Sequence, residues 1–386
     1  MASFSPLNES LLRDPWATYR RFRETQPVAW MPSLKTYAVF TYDDVHTVLS
    51  GREFTAEHQF RSSRRAVGPS ILDVEDPDHR RLRHLVHPPL GLSSVRANRP
   101  ALRAVIERLL DGLPVDEPVD LMSAVAELLP MQVICHMLGL PASSARWLAR
   151  TSQPLAAYLD ETEKSLVVAR ACRDALIHYL DEHFFAPPDN PAPLGSRILT
   201  AFRDGGLSLR EAQENLVMLL VVGTVTTVCG SGNTLACLLS RPEQYARLVD
   251  GELSAHDAVA ESLRYEPPVH FVPRFCRDDT ELAGIPLPRG TAVNVCLASA
   301  NRDPAMFGSP DDWLPGRTDL QRTFVFGYGR HGCVGGLLGE AEIVELVDAM
   351  ARRFPGARLH GPPPTSAGWV FRRPETLMVV LEKEAP

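Results

Sequence analysis

A mainly α fold with small β-sheets is what the sequence predicts, on three observations. Apolar residues recur at three- and four-residue steps through most of the chain, as in Leu102 to Leu113 and Met122 to Leu138. Strand-like pieces are few and short. One stretch, Leu216 to Ser240, carries no charge and sits inside a single long helical pattern.

In chain order, Trp16 to Thr25 reads as a helix, and Val28 to Thr41 as a hairpin-like region with a strand at Tyr37 to Phe40. Helical patterns dominate from Asp43 onward. The proline-rich runs Ala186 to Gly195 and Gly361 to Gly368 read as loops. Ser208-Leu209-Arg210-Glu211 matches a capping box that starts a helix. Continued to Leu239, that helix is roughly 46 Å long and crosses a whole domain. Late strands are expected at Ala292 to Leu297, Thr323 to Phe326 and Leu377 to Leu381.

Composition narrows the class. The 386 residues are 45% hydrophobic and 23% charged, enough for a large core and too apolar for disorder. Forty Lys+Arg against 47 Asp+Glu give a net charge of -7, which argues against a nucleic-acid surface. Lys35, Lys164 and Lys383 are the only lysines, and there are 33 prolines, as in a GC-rich actinobacterial coding sequence. Seven cysteines lie scattered without CxxC pairs, and Met1 to Pro15 lacks an apolar signal region, so a reducing cytoplasm is expected. The uncharged stretch holds Gly223, Thr224, Thr226, Thr227, Ser231, Asn233 and Thr234, too polar for a membrane span. It reads as a helix buried on all sides.

The chemistry concentrates in Phe326-Gly327-Tyr328-Gly329-Arg330-His331-Gly332-Cys333-Val334-Gly335. Gly327-x-Gly329-x-x-Gly332 matches a dinucleotide fingerprint, but the acidic Glu345 falls within the helical pattern Leu337 to Met350, and only one further strand follows. A Rossmann half has no room. The alternative is that the glycines free a loop delivering Cys333 to a helix start, where unpaired N–H groups favour a thiolate. Phe326 would shield the sulfur. Such a cysteine suits ligation of haem iron.

The segment resembles the haem-binding loop of the cytochrome P450 family, Phe-x-x-Gly-x-His/Arg-x-Cys-x-Gly, with Phe326, Gly329, His331, Cys333 and Gly335 at the motif positions. Glu261-Ser262-Leu263-Arg264 resembles the family's buried Glu–Arg pair, with Arg317 as its third, structural member. His79 and Arg83, four apart on one helix face, and Arg274 resemble the residues that hold the haem propionates. Asn301 to Pro304 and Leu138 to Pro141 extend the match over essentially the whole chain. The resemblance implies one P450 domain over 1–386, with haem b between the long central helix and the cysteine-loop helix.

It also implies oxygen chemistry on the central helix, where Ala-Gly-x-Asp/Glu-Thr is usual. Here Gly223 and Thr226 are present, but Val225 replaces the acid that normally relays protons. Water with Thr226 or Thr224, or a polar group on the substrate, would take over that role. The implied activity is a monooxygenase that hydroxylates or epoxidises a small natural-product-type molecule. The alternatives are an oxidative C–C or C–N coupling enzyme and a non-catalytic haem sensor. Electrons would come from NAD(P)H through a ferredoxin or flavodoxin, since no fused reductase fits, to a cytoplasmic monomer. Leu219, Val222, Val225, Val269, His270, Phe271, Val370 and Phe371 are the expected pocket residues, with Trp369 to Phe371 a hairpin tip over the pocket. Arg61, Arg64 and Arg65 form a basic cluster that either meets an anionic substrate or is solvated. Glu340, where relatives have arginine, alters the face toward the electron donor.

Overall fold

The computed structural model describes residues 9–160, 165–186 and 192–383. Its axis is the helix Leu209–Leu239, 31 residues long. The helix starts where the sequence says it should. The Ser208 hydroxyl accepts from the Glu211 N–H at 3.2 Å, while the Glu211 carboxylate accepts from the Ser208 N–H at 2.9 Å. Among the described residues this is the one helix long and apolar enough to cross a membrane, and most of it is buried inside the protein. Gly230 explains one close approach: a Cβ there would lie 2.8 Å from the Ile343 side chain of the helix Gly336–Arg353.

A five-stranded mixed sheet joins residues 28–55 to residues 271–296. Val28–Met31 pairs antiparallel with Thr36–Val39, whose other edge runs parallel to Ala292–Cys296. Phe271–Cys276 follows, then Phe54–Thr55 at the far edge. Val28, Val39, Val293 and Val295 enter an apolar layer beneath it, as period-two alternation requires. Trp16–Thr25 packs Tyr19 and Phe22 onto Phe40 and Phe271. A separate three-stranded sheet brings Met378–Val380 between Pro118–Asp120 and Arg358–Leu359.

Four local readings change. Thr323 to Phe326 is not a strand: the Phe324 N–H goes to the Asn301 side chain at 2.7 Å and the Gly327 N–H returns to Phe324, so a turn takes the groups a ladder needs. The helix Pro193–Arg203 begins inside the predicted loop, since proline at a first helical position loses no hydrogen bond; residues 187–191 of that loop lie outside the described residues. Met122–Ala126 is a π-helical turn before Leu129–Leu138, entered where Asp120 accepts from the Met122 N–H at 3.0 Å. Within Gly361 to Gly368, Ser366–Ala367 pairs with Arg373–Pro374 as a hairpin, which puts Trp369 to Phe371 at its tip.

Candidate active site

Gly329 sits at φ 71° with the Leu49 carbonyl oxygen 3.1 Å from where a Cβ would stand, so glycine is required. The turn continues with the Gly332 N–H on the Gly329 oxygen at 3.0 Å and the Cys333 N–H on the Phe326 oxygen at 2.7 Å. Gly336 then opens the helix Gly336–Arg353, and the Phe326 ring covers it, 3.1 Å from a Cβ placed there. Cys333 is exposed, yet burial pushes its thiol up, against the Gly335 N–H and Arg83, which favour the thiolate. Both facts hold for a sulfur on the wall of a cleft within the protein. Around Gly335, too, a Cβ would meet nothing within 4 Å.

A second patch of unburied residues lies on the central helix. Between Glu214 and Leu239 its residues that are not buried are Val222, Gly223, Val225, Thr226 and Ala236. A Cβ on Gly223 would meet nothing within 4 Å. The Thr226 hydroxyl donates to the Val222 oxygen at 3.1 Å. One residue on, the Thr227 hydroxyl lies 3.3 Å from a Cβ placed on Gly339, so the two helices meet beside the opening. Thr224 does not belong here. It is buried, and its hydroxyl donates to the Leu220 oxygen at 2.7 Å, because 100° of helical rotation turns it away from Gly223.

Cations line a third side. Arg274 is 6% exposed, and its guanidinium donates to the Pro273 oxygen at 2.9 Å; among the described residues no carboxylate pairs with it. Burial, aided by Arg61, pulls it down to about 9. The His79 and His331 rings stand 4.3 Å apart between centroids, and Arg83 donates to the Gly332 oxygen at 2.8 Å. Burial, His331 and Arg83 pull His79 down to about 4, and burial lowers His331 as well.

Of this side's members, sequence reasoning missed Glu75 and gave Arg61 a different setting. Arg61 is neither solvated nor free for an anion: it donates to Ala56 and Leu72 oxygens at 2.8 and 2.6 Å and pairs with Asp73 at 3.1 Å. Arg64 pairs with Glu57 at 3.1 Å, while Arg65 stays exposed. Glu75 accepts from Thr55, the Ala56 N–H, His331 and Arg330 at 2.8, 2.9, 3.3 and 2.8 Å. Burial opposes its charge, but these donors hold the carboxyl well below the usual range. Nothing local in the sequence marks Glu75; its partners come from strands and loops far along the chain.

The His79 shift has a pH consequence. Its folded value lies near 4 and its unfolded one near 6.5, so the unfolded chain binds more protons between them. The His79 contribution is whole above pH 6.5 and is lost as pH falls toward 4. Glu75, also depressed, adds a loss in the same direction below about pH 4.5. Urea midpoints followed from pH 7 to 4 should fall, and His79→Gln should flatten the part above pH 5.

Beneath the cysteine loop, Glu261 and Arg264 are fully buried and bidentate, both contacts 2.8 Å. Arg317 joins Glu261 at 3.0 Å, and Arg264 also holds the Asn301, Pro310 and Asp312 oxygens. On the substrate side two expected wall residues are core instead. His270 is fully buried with its Nδ1 on the Tyr19 hydroxyl at 3.1 Å, and the Phe271 ring stacks on Trp369 at 4.1 Å. Leu219 is buried at 8% exposure, and Val269 and Phe371 pair across a β-bridge. Glu340 faces His256 at 3.6 Å.

Residues 255–380 match the family model described as Cytochrome P450. The chain is 30% identical to the Vitamin D(3) 25-hydroxylase of Pseudonocardia autotrophica, over 86% of this chain and 84% of the relative. It is 32% identical to the Nocardicin C N-oxygenase of Nocardia uniformis subsp. tsuyamanensis, over 89% of each. Among solved structures, CalO2 superposes with a TM-score of 0.91 at 27% identity, covering 99% of this chain and all of the other. CxnD, an enzyme for C–S bond formation in chuangxinmycin biosynthesis, gives 0.87 at 25% identity, covering 100% and 98%.

Proposed function

The chain belongs to the cytochrome P450 family, and from that premise we propose that it is a haem-thiolate monooxygenase acting as one domain on a small, largely apolar natural-product molecule. The observation that carries the reading is an exposed cysteine at a helix start, together with the unburied patch Val222, Gly223, Val225 and Thr226 on the central helix that packs against the helix the cysteine precedes. Haem fits the donor set. Cys333 would be its thiolate ligand, and the buried Arg274, which has no carboxylate partner among the described residues, would meet a propionate, with His79, Arg83 and His331 beside it. Phe326, Gly329 and Gly335 would shape the loop around the sulfur.

When bound there, haem supplies reductive activation of dioxygen and insertion of one oxygen atom into a C–H or C=C bond. The chain's own part is to bind, orient and move protons. Gly223 leaves room, and Thr226 Oγ1 is the hydroxyl beside it that can turn from the Val222 oxygen to hold a proton. Val225 brings no acid, so water or a polar group on the substrate would recharge Thr226. Leu219, Val222, Val225, Val269, Val370 and Phe371 would form the apolar wall that excludes bulk water. Electrons would pass from NAD(P)H through a ferredoxin or flavodoxin to a cytoplasmic monomer. The named hydroxylase and N-oxygenase relatives support oxygen insertion.

Val225 supports a second reading, chemistry that needs no ordinary proton delivery, such as oxidative coupling; the C–S bond-forming neighbour gives it a precedent. Val225→Asp separates the two. If the enzyme inserts oxygen, the variant should convert a larger share of consumed reductant into the same product. Loss of the native product with faster reductant use would favour coupling.

A further inference from the structure

Asp160 lies on the helix Ala145–Asp160, and its carboxylate reaches a distant part of the chain. Oδ1 accepts from the Val370 N–H at 2.7 Å and the Phe371 N–H at 2.8 Å, both at the tip of the 366–374 hairpin. The hairpin is secured elsewhere by different means. At its base Arg372 donates to the Ser366 and Arg13 oxygens at 2.7 and 3.1 Å. At its side the His270 N–H reaches the Val370 oxygen at 2.8 Å, and Trp369 stacks on Phe271. Those anchors join the tip to the sheet and the N-terminal segment. Asp160 joins it to a helix that lies across the central helix and touches the short helix Ser62–Ala66.

We propose that Asp160 is a latch between this helix and the hairpin, and that these two hydrogen bonds set how fast bulky ligands enter and leave the cleft. The inference rests on the haem reading above and names the residue that controls access to that site. Charge-assisted bonds to two N–H groups are stronger than neutral ones, so they can hold the tip firmly. Separating helix from hairpin breaks both at once, whereas a small ligand needs no separation.

The test uses the full-length, haem-loaded protein and two nitrogen ligands followed by their Soret shift in stopped flow: imidazole and a bulky N-substituted aryl imidazole. Asp160→Ala should raise both the association and dissociation rates of the bulky ligand on the order of tenfold, leave its Kd little changed, and leave imidazole unaffected. Asp160→Asn keeps an acceptor oxygen without the charge and should fall between, which also covers a poorly folding alanine variant. Unchanged bulky-ligand rates in both variants, or equal acceleration of both ligands, would overturn the latch. A wild-type protein that shows no Soret shift with either ligand fails at the haem reading and takes the latch with it, a result distinct from the other two.

Discussion

Glu261→Ala is expected to remove about 3–5 kcal/mol of folding stability, a large share of the roughly 5–15 kcal/mol that a folded protein has. The reason is asymmetric. Glu261 and Arg264 are both 0% exposed, and each carboxylate oxygen takes a guanidinium nitrogen at 2.8 Å. Glu261 Oε1 also accepts from the Leu314 N–H at 2.7 Å and from Arg317 at 3.0 Å. Truncation leaves a buried cation without a counter-charge, held only by neutral carbonyls and the Phe307 ring at 5.7 Å. It also strands a backbone donor in the segment that leads to the cysteine loop. Urea unfolding at neutral pH checks this through a lower midpoint at unchanged slope. Replacing both partners, Glu261→Met with Arg264→Met, should cost less than the single change, since no charge is then left unpaired. A single variant within about 1 kcal/mol of wild type would show that the pair is not the keystone its burial implies.

The spacing puts that pair on one helix face, three residues apart, but only the family resemblance implies its burial. The capping box at Ser208 needs less: local spacing and local chemistry suffice. Thr224 shows what the periodicity contained but the reading did not use. Gly223 and Thr226 lie about 60° apart around the helix, while Thr224 is turned about 100° the other way into the core. His270 and Phe271 failed for another reason. Which way a strand residue points depends on register with partners, here Cys296 opposite Phe271 and the Val269–Phe371 bridge, and a shift of one residue reverses every face. Glu75 and Arg61 were beyond reach because their meaning lies in contacts across the fold. Arg330, 255 residues from Glu75, shares its carboxylate with His331, and no local pattern encodes that meeting.

Cys333→Ser should remove the strongly red-shifted Soret band of the reduced, carbon monoxide-treated protein altogether. Cys333 is the exposed cysteine among the seven. Cys135, Cys229 and Cys237 are buried and pushed up to about 12, and Cys276 to about 11, so none offers a thiolate in its place. Burial raises Cys333 too, but the Gly335 N–H and Arg83 already favour its charged form, and a bound metal ion removes a thiol proton outright. Serine has no such option at neutral pH; its hydroxyl is a poor ligand for the metal a soft thiolate selects. The haem would then be held by Arg274, His79, Arg83 and His331 without the cysteine, weakly and without the thiolate signature. Cys333→His supplies a neutral nitrogen and should restore tight binding with the band at its ordinary position. The pair of variants divides retention of the cofactor from the character of its ligand. A serine variant that keeps the red-shifted band would place the thiolate on another cysteine and break the link between this loop and the chemistry. A wild-type spectrum without that band would remove the thiolate reading itself.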